Sequence, residues 1–472
     1  MNASDPFKRY TEKVCEQIRW KKAHGVVAKE IENHLIDQKN AYMDMGDPES
    51  TAEEKALLQM GDPVAVGAAL DNTHKPAPQW GMIGLVLLLF VIGAVLQILF
   101  INNNFTDKDF QAVSANALIL YLPLSLAAFI GAYFLDFSFL GKHPYLLPLC
   151  LLGIDISAQL IGLEFAGNRW LTLGPFAISP IALSTLFPLT FCGIFYHFQE
   201  KGKHGYFLGG LVAACFCVQL LLFHTLSGLL LFVCTAGILM VLGAFRKWFG
   251  ENTKPLLLFF IIAGIVIFAL LFFGVDAFRY RMSRIQALLT VFHPETDPYG
   301  AGYSASILQG MLKNSVFLGE GAVFLDWNLY EAFGSSAFRT DYLLTFLTYK
   351  YGWAVSIGLV LLLAVFLILG FRKCLKQKSV LGQMVSLCIL ATFTMEVLVY
   401  IIVNLGYPLI APIALPFLSY GTTALLLNMA LAGILLSVFR TGEVYQDNTK
   451  PVFSESKFIQ WDDGKLIISF KG

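Results

Sequence analysis

Runs of about 20 consecutive apolar residues recur along the middle of this chain, and that recurrence limits the fold more than any other feature of the sequence. A helix needs roughly that length to cross a hydrocarbon layer about 30 Å thick, and in lipid it satisfies its own backbone N–H and C=O groups. The runs cover about residues 80–101, 115–135, 143–163, 176–197, 205–223, 225–245, 255–275, 342–371, 380–404 and 409–439. Ten transmembrane helices are expected. The fifth and sixth runs meet at His224, so a broken or re-entrant pair stays open there. With 14% charged residues and a mean hydropathy of +0.65, the chain is not an ordinary soluble one, in which about a quarter of residues carry charge. The expected class is an all-α polytopic membrane protein.

The charges are unevenly placed. The 33 basic and 33 acidic side chains cancel, which leaves no net field to recruit nucleic acid. Residues 1–79 hold 23 of the 66 charges, the tail from Arg440 holds 10, and the 360 residues between hold 33. Two soluble ends at 1–79 and 441–472 therefore flank a membrane body at 80–440. Basic residues in short loops stay on the cytoplasmic side. One set of loops carries Lys142, Lys201, Lys203, Arg246, Lys247, Lys254, Arg372, Lys373, Lys376 and Lys378, and the opposite set only Lys108 and Arg169. Ten against two places both termini in the cytoplasm and makes 276–341 a large extracellular loop. No cleavable signal peptide is visible, because the first strongly apolar run begins near Trp80. None of the eight cysteines falls in a predicted outer loop, so no disulfide framework is implied.

Residues 1–79 read as a small helical unit. Val26, Val27, Ile31, Leu35 and Ile36 recur at helical spacing among charged residues, and Gly46-Asp47-Pro48 and Gly61-Asp62-Pro63 mark turns. The string KEIENHLIDQKNAYMDMG followed by LLQMGDP resembles the short prefix domain ahead of several bacterial permease-type proteins, which implies docking or regulation and no chemistry. In the tail, Asp463-Gly464 between two β-prone runs predicts a β-hairpin.

Ionisable groups inside a bilayer are costly, so each one marks a candidate functional position. Asp155, Lys350 and Glu396 stand out in the third, eighth and ninth runs. On a continuous helix Lys350 would lie about 13 Å deeper than Asp341, where Asp155 or Glu396 is expected to neutralise it. An ion pair that only fixes helix register and a role in substrate or proton handling are both open. On the outer face, Arg169-Trp170, Arg279, Arg281, Arg284 and Arg339 cluster near apolar boundaries around Asp341. Guanidinium groups there suit the phosphate head group of a lipid, and an ionised carboxylate among them can take a proton from a hydroxyl.

Five segments then resemble one family in order. These are AGNRWLTLGPFAISP; RIQALLTVFHPETDPYGAGY, with Arg284, Pro294, Asp297, Gly302 and Tyr303; KNSVFLGEG from Lys313, with Gly319 and Gly321; RTDYLLTFLTYKYG, with Arg339, Thr340 and Asp341; and NLG followed by LPFLSYG, with Asn404, Ser419, Tyr420 and Gly421. They are similar to the shape, elongation, division and sporulation family, the FtsW/RodA/SpoVE proteins, across residues 80–440. The resemblance implies a peptidoglycan glycosyltransferase of the bacterial cytoplasmic membrane that polymerises lipid II and works with a class B penicillin-binding protein. It puts Asp341 at the essential aspartate and makes Arg169, Trp170, Arg284, Tyr303, Lys313, Arg339, Asn404, Ser419 and Tyr420 candidate substrate contacts. A divalent cation, Mg or Mn, could share the leaving-group charge, although no ligand cluster shows.

The chain also departs from the family pattern. Ser179, Pro180, Ile181, Ala182 and Thr185 stand where the family usually has Gln-Pro-Ser-Glu-x-x-Lys, so an acidic and a basic residue are lost together. Tyr349 and Lys350 replace an acidic pair, which reverses the charge after Asp341. Two other classes therefore remain open. One is an inactive scaffold of the same fold, and the other is a flippase using Asp155, Lys350 and Glu396 as a relay.

Overall fold

A computed structural model describes residues 6–468, apart from 274–289, 323–337, 443–458 and short gaps at 75, 77, 103–107, 166–167, 174–175, 224–225, 252, 295–296, 298–301, 339, 420 and 463–464. Four helices come first: α1 (Pro6–Glu16), α2 (His24–Asp44), α3 (Glu49–Met60) and α4 (Pro63–His74). They enclose their own core of Phe7, Tyr10, Val14, Ile18, Val27, Ile31, Leu35 and Ala56. Val27, Ile31 and Leu35 recur every four residues and so share one face of α2, whereas Ile36 is 43% exposed. Arg19 ties α1 to α4 through Asp71 at 2.7 Å.

The membrane body follows as α5 (Trp80–Asn102), α6 (Lys108–Phe134), α7 (Leu146–Ile161), β1 (Leu163–Phe165), β2 (Asn168–Leu173), β3 (Phe176–Ile178), α8 (Phe187–His197), α9 (Gly202–Phe223), α10 (Leu226–Phe245), α11 (Lys254–Phe273), α12 (Tyr303–Lys313), α13 (Leu343–Tyr351), α14 (Trp353–Leu375), α15 (Val380–Asn404) and α16 (Thr422–Thr441). Among the described residues, helices occur at all ten expected positions. Six stretches are long and apolar enough to span a membrane, one of them Pro180–Leu222, which takes in both α8 and α9. The fifth and sixth runs are separate helices, and His224 lies outside the described residues. In the tail, β4 (Ile459–Asp462) pairs antiparallel with β5 (Lys465–Ile468), with Asp462 opposite Lys465. This is the hairpin expected around 463–464.

Three expected runs need correction. The fourth begins as a strand, because β1, β2 and β3 form an antiparallel meander and the helical backbone starts only at Pro180, which has no N–H for the ladder to use. The tenth becomes helical only at Thr422, and residues 409–419 run as irregular chain and turns. The eighth is not one helix. Gly352 has φ +95, and a Cβ there would lie 2.6 Å from the Phe317 carbonyl oxygen, so only glycine fits the turn. After it the chain doubles back. Ser356 of α14 donates to the Leu344 carbonyl at 3.1 Å, although twelve helical residues would separate them by about 18 Å.

α15 is the central post of the bundle. In its most apolar stretch 72% of residues are buried, against 28% in α14. Phe187, Phe191, Phe195 and Phe232 pack in the core between α8 and α10. α6 and α16 lie almost backbone to backbone, since a Cβ on Gly433 would sit 2.5 Å from the Phe129 carbonyl oxygen. Small residues permit this approach in membrane bundles. Lys373 at the end of α14 donates to Gln79, just before α5, at 2.6 Å. The four-helix unit and the C-terminal end of α14 therefore lie at the same end of the molecule, and α13 lies at the other.

Candidate active site

α13 begins against the last turn of α15, and its start is held by side chains from that helix. The first N–H groups of a helix have no partner within it. Tyr400 and Asn404 supply partners here. Leu343 N–H donates to the Tyr400 hydroxyl at 2.9 Å, and Thr345 N–H donates to Asn404 Oδ1 at 3.0 Å. The Tyr400 hydroxyl in turn donates to the Thr340 carbonyl at 3.0 Å, and Asn404 Nδ2 donates to the Asp341 carbonyl at 2.9 Å. Thr345 Oγ1 lies 2.6 Å from the Asn404 carbonyl. Tyr400 and Asn404 are four residues apart and so share a face of α15. Both are buried, at 0% and 3% exposure. The backbone is thus held before Asp341, at the Thr340 carbonyl, and at its own carbonyl, by two side chains of a buried helix.

The Asp341 side chain is left half-buried at that grip. Burial raises its carboxyl, and a hydrogen bond from the Thr340 side chain opposes the rise; the result is pushed up to about 6. Such a carboxyl is ionised at neutral pH and is still basic enough to accept a proton from an alcohol in a transition state. It also sits just ahead of the N-terminus of α13, where the helix dipole favours negative charge. α12 packs beside α13. The Tyr342 hydroxyl is bonded to Ser304. Gln309 of α12 donates to the Gly406 carbonyl at 3.1 Å, which connects this layer to the end of α15.

The structure scatters several of the remaining candidates. Arg169 and Trp170 lie on β2, and Arg169 donates to the Gln159 carbonyl in the last turn of α7. Tyr303 opens α12, and Lys313 closes it as an exposed side chain. Ser419 is 4% exposed, and its hydroxyl donates to the Leu415 carbonyl at 3.3 Å. Its loop is held by Phe417, a buried non-glycine residue at φ +67, and by Gln97, which donates to the Leu418 carbonyl at 3.2 Å. A small apolar crevice, with a cavity volume of about 10 Å³, lies beside this loop, lined by Phe90, Gln97, Leu118, Tyr121, Phe417 and Ser419 among others; Asp341 is not part of its wall. Arg284, Arg339 and Tyr420 lie outside the described residues.

The expected neutralisation of Lys350 by Asp155 or Glu396 is overturned. Lys350 pairs with Glu320 at 2.5 Å, because the turn at Gly352 keeps it at the end of α13 near the membrane surface. Tyr349 beside it donates to the Ala322 carbonyl at 3.0 Å. The reversed charge is therefore directed at the 314–322 segment. Asp155 accepts from Gln219 of α9 at 2.7 Å. Glu396 is buried, and neither of its oxygens makes a hydrogen bond of regular geometry with a protein group. The three intramembrane charges thus engage different surroundings. Ala182 and Thr185 are buried, and Thr185 donates back to the Ala182 carbonyl at 2.8 Å, so the missing family ion pair leaves no stranded charge. Among the described residues no group of three or more His, Cys, Asp or Glu is gathered to hold a metal ion.

Tyr400 was not among the candidates from sequence. Its only signal is a phenol four residues before Asn404 in an otherwise largely aliphatic span.

Comparison with known proteins agrees with this architecture. The family model FtsW/RodA/SpoVE, described as cell cycle protein, matches residues 79–443. The chain is 26% identical over 369 residues to the probable peptidoglycan glycosyltransferase FtsW of Trichlorobacter lovleyi, covering 75% of this chain and 92% of that one. It is 25% identical over 383 residues to stage V sporulation protein E of Bacillus subtilis, covering 78% and 99%. Among solved structures it resembles a chain described under structural coordination of polymerization and crosslinking by a peptidoglycan synthase complex, with TM-score 0.60, 22% identity and coverage of 79% and 99%. It also resembles the rod shape determining protein RodA of Thermus thermophilus, with TM-score 0.50, 21% identity and the same coverage. A match across more than three quarters of the sequence assigns the chain to the FtsW/RodA/SpoVE family of cell cycle proteins.

Proposed function

We propose that this chain is an inverting peptidoglycan glycosyltransferase that polymerises lipid II, with Asp341 as its general base. The carrying observation is that Tyr400 holds the Thr340 carbonyl and Asn404 the Asp341 carbonyl, which together support a half-buried carboxyl pushed up to about 6. Rigid placement of one reacting group is a large part of what an enzyme supplies. The name of the Trichlorobacter relative supports the same reaction.

In this reading Asp341 takes the proton of the acceptor sugar's 4-hydroxyl. The oxygen attacks C1 of the donor sugar, the bond from C1 to the lipid pyrophosphate breaks, and the pyrophosphate leaves with the bonding pair. Attack from the opposite face turns an α-linked donor into a β-linked glycan. The sequence offers Arg284 and Arg339 on the same outer loop to meet the departing phosphates. The cytoplasmic placement of both termini, which puts Asp341 on the outer face, follows from the loop arginines and lysines. A class B penicillin-binding protein is the proposed partner, supported by the likeness to a chain of a peptidoglycan synthase complex. No step is assigned to a divalent cation, since the described residues gather no ligand set for one.

The test is reconstitution. The full chain in lipid nanodiscs, alone and with class B penicillin-binding proteins, is incubated with lipid II, and the products are separated by length. Glycan strands that lysozyme digests support the reading. Unchanged lipid II under every pairing contradicts it and favours a scaffold of the same fold.

A further inference from the structure

Val316, Phe317 and Leu318 project from the segment that follows α12, at 41%, 68% and 69% exposure. Polar residues Asn314, Ser315 and Glu320 surround them in sequence, so this is an isolated apolar tip. Its height along the bundle is fixed by backbone hydrogen bonds. Trp353 N–H donates to the Val316 carbonyl and Ala354 N–H to the Phe317 carbonyl, each at 3.1 Å, and Gly319 N–H donates to the Tyr351 carbonyl at 3.2 Å. Trp353 and Ala354 are the first two residues of the membrane span α14. The prefix unit is tied to the other end of α14 through Gln79 and Lys373. The tip therefore lies where hydrocarbon gives way to water, in the leaflet remote from the prefix unit. Tyr351 and Trp353 beside it are residue types that settle at this depth.

We propose that Val316, Phe317 and Leu318 form a wedge inserted among the acyl chains of that leaflet. The occupant is lipid because the tip continues a wall already built for lipid. α14 exposes Ile357, Leu361, Val365 and Ile368 at 46–60% along its length. The wedge also bears on the candidate site. Lys350 and Tyr349 of α13 bond to Glu320 and to the Ala322 carbonyl, immediately beyond the tip. Anchoring the tip in the bilayer therefore sets the depth of the helix that begins just after Asp341. This inference does not depend on the reaction proposed above.

The test uses the full chain in phosphatidylglycerol–phosphatidylethanolamine nanodiscs, with trifluoromethyl-phenylalanine in place of Phe317. A second sample carries the label in place of Leu58, an exposed residue of α3 at 74% exposure. Dissolved oxygen concentrates in acyl chains, whereas a gadolinium chelate stays in water. Oxygen is expected to broaden the fluorine signal at 317 several-fold more than at 58, and the chelate to do the reverse. Equal chelate broadening at both positions overturns the wedge. So does protection of position 317 from both reagents, which would place a protein surface over the tip. The same comparison with the label in place of Leu318 guards against a local effect of one substitution.

Discussion

Asn404 donates from Nδ2 to the Asp341 carbonyl at 2.9 Å while its Oδ1 accepts from Thr345 N–H at 3.0 Å, so one buried amide holds both the candidate base and the first turn of the helix that follows it. Replacing Asn404 with Leu removes both bonds and leaves two buried backbone groups unpaired, at roughly 1–3 kcal/mol each. Asn404→Leu is expected to lower the unfolding midpoint in nanodiscs by several degrees. It is also expected to cut glycan polymerisation by about 10–100-fold, through misplacement of the carboxylate. Wild-type polymerisation in this variant would show that the grip is not needed for positioning.

Tyr400→Phe removes only the hydroxyl that accepts from Leu343 N–H and donates to the Thr340 carbonyl. Leu343 N–H and the Thr340 carbonyl again lose a partner, at roughly 1–3 kcal/mol each, but the ring and its packing stay, so the loss is expected to be the smaller of the two. Thermal unfolding of the two variants side by side checks the order, with Asn404→Leu expected to be the less stable.

Gly352→Ala has no comfortable conformation, because φ is +95 and the added Cβ meets the Phe317 carbonyl. The substitution is expected to cost more than about 1 kcal/mol and to disturb α13. By contrast, Lys350→Met breaks a pair whose Glu320 side chain is 61% exposed. Such surface pairs contribute about 0–1 kcal/mol, so polymerisation is expected to stay within a few-fold of wild type. A collapse of activity in Lys350→Met with normal folding would revive a relay through this residue.

The Asp341 carboxyl, pushed up to about 6 by burial, sets the direction of two pH effects. The basic form is the ionised one, so the polymerisation rate is expected to rise through an acid limb near pH 6 and level off above it. The stability effect has the opposite sign. A carboxyl raised on folding contributes stability that is present below about pH 4, the range of an unfolded aspartate, and is lost as pH rises through about 6. Rate and unfolding profiles across pH 5–8 test both directions.

The long-range plan of this chain was legible in its sequence because hydropathy records burial in lipid directly: helices stand at the ten expected positions among the described residues. Hydropathy does not record where the backbone turns. The strand at Phe176–Ile178, the break at Gly352 and the delayed start of α16 at Thr422 all lie inside apolar stretches. Asp341 stood out as a carboxylate at a membrane boundary, yet Tyr400 did not. A phenol that caps a distant helix through its hydroxyl has no local pattern. The partner of Lys350 was missed for the same reason. Depth along an unbroken helix points to Asp155 or Glu396, and the single turn at Gly352 changes that depth.

The most direct measurement is lipid II polymerisation by wild type and Asp341→Asn, each reconstituted with the same penicillin-binding partner and each checked for thermal unfolding at neutral pH. Asn keeps the shape and removes the basic oxygen. The variant is expected to unfold at the same or a slightly higher temperature, since no carboxylate is then ionised against its burial, and to form no detectable glycan. Glycan produced at the wild-type rate by a folded Asp341→Asn protein would contradict the assignment of this carboxylate as the base.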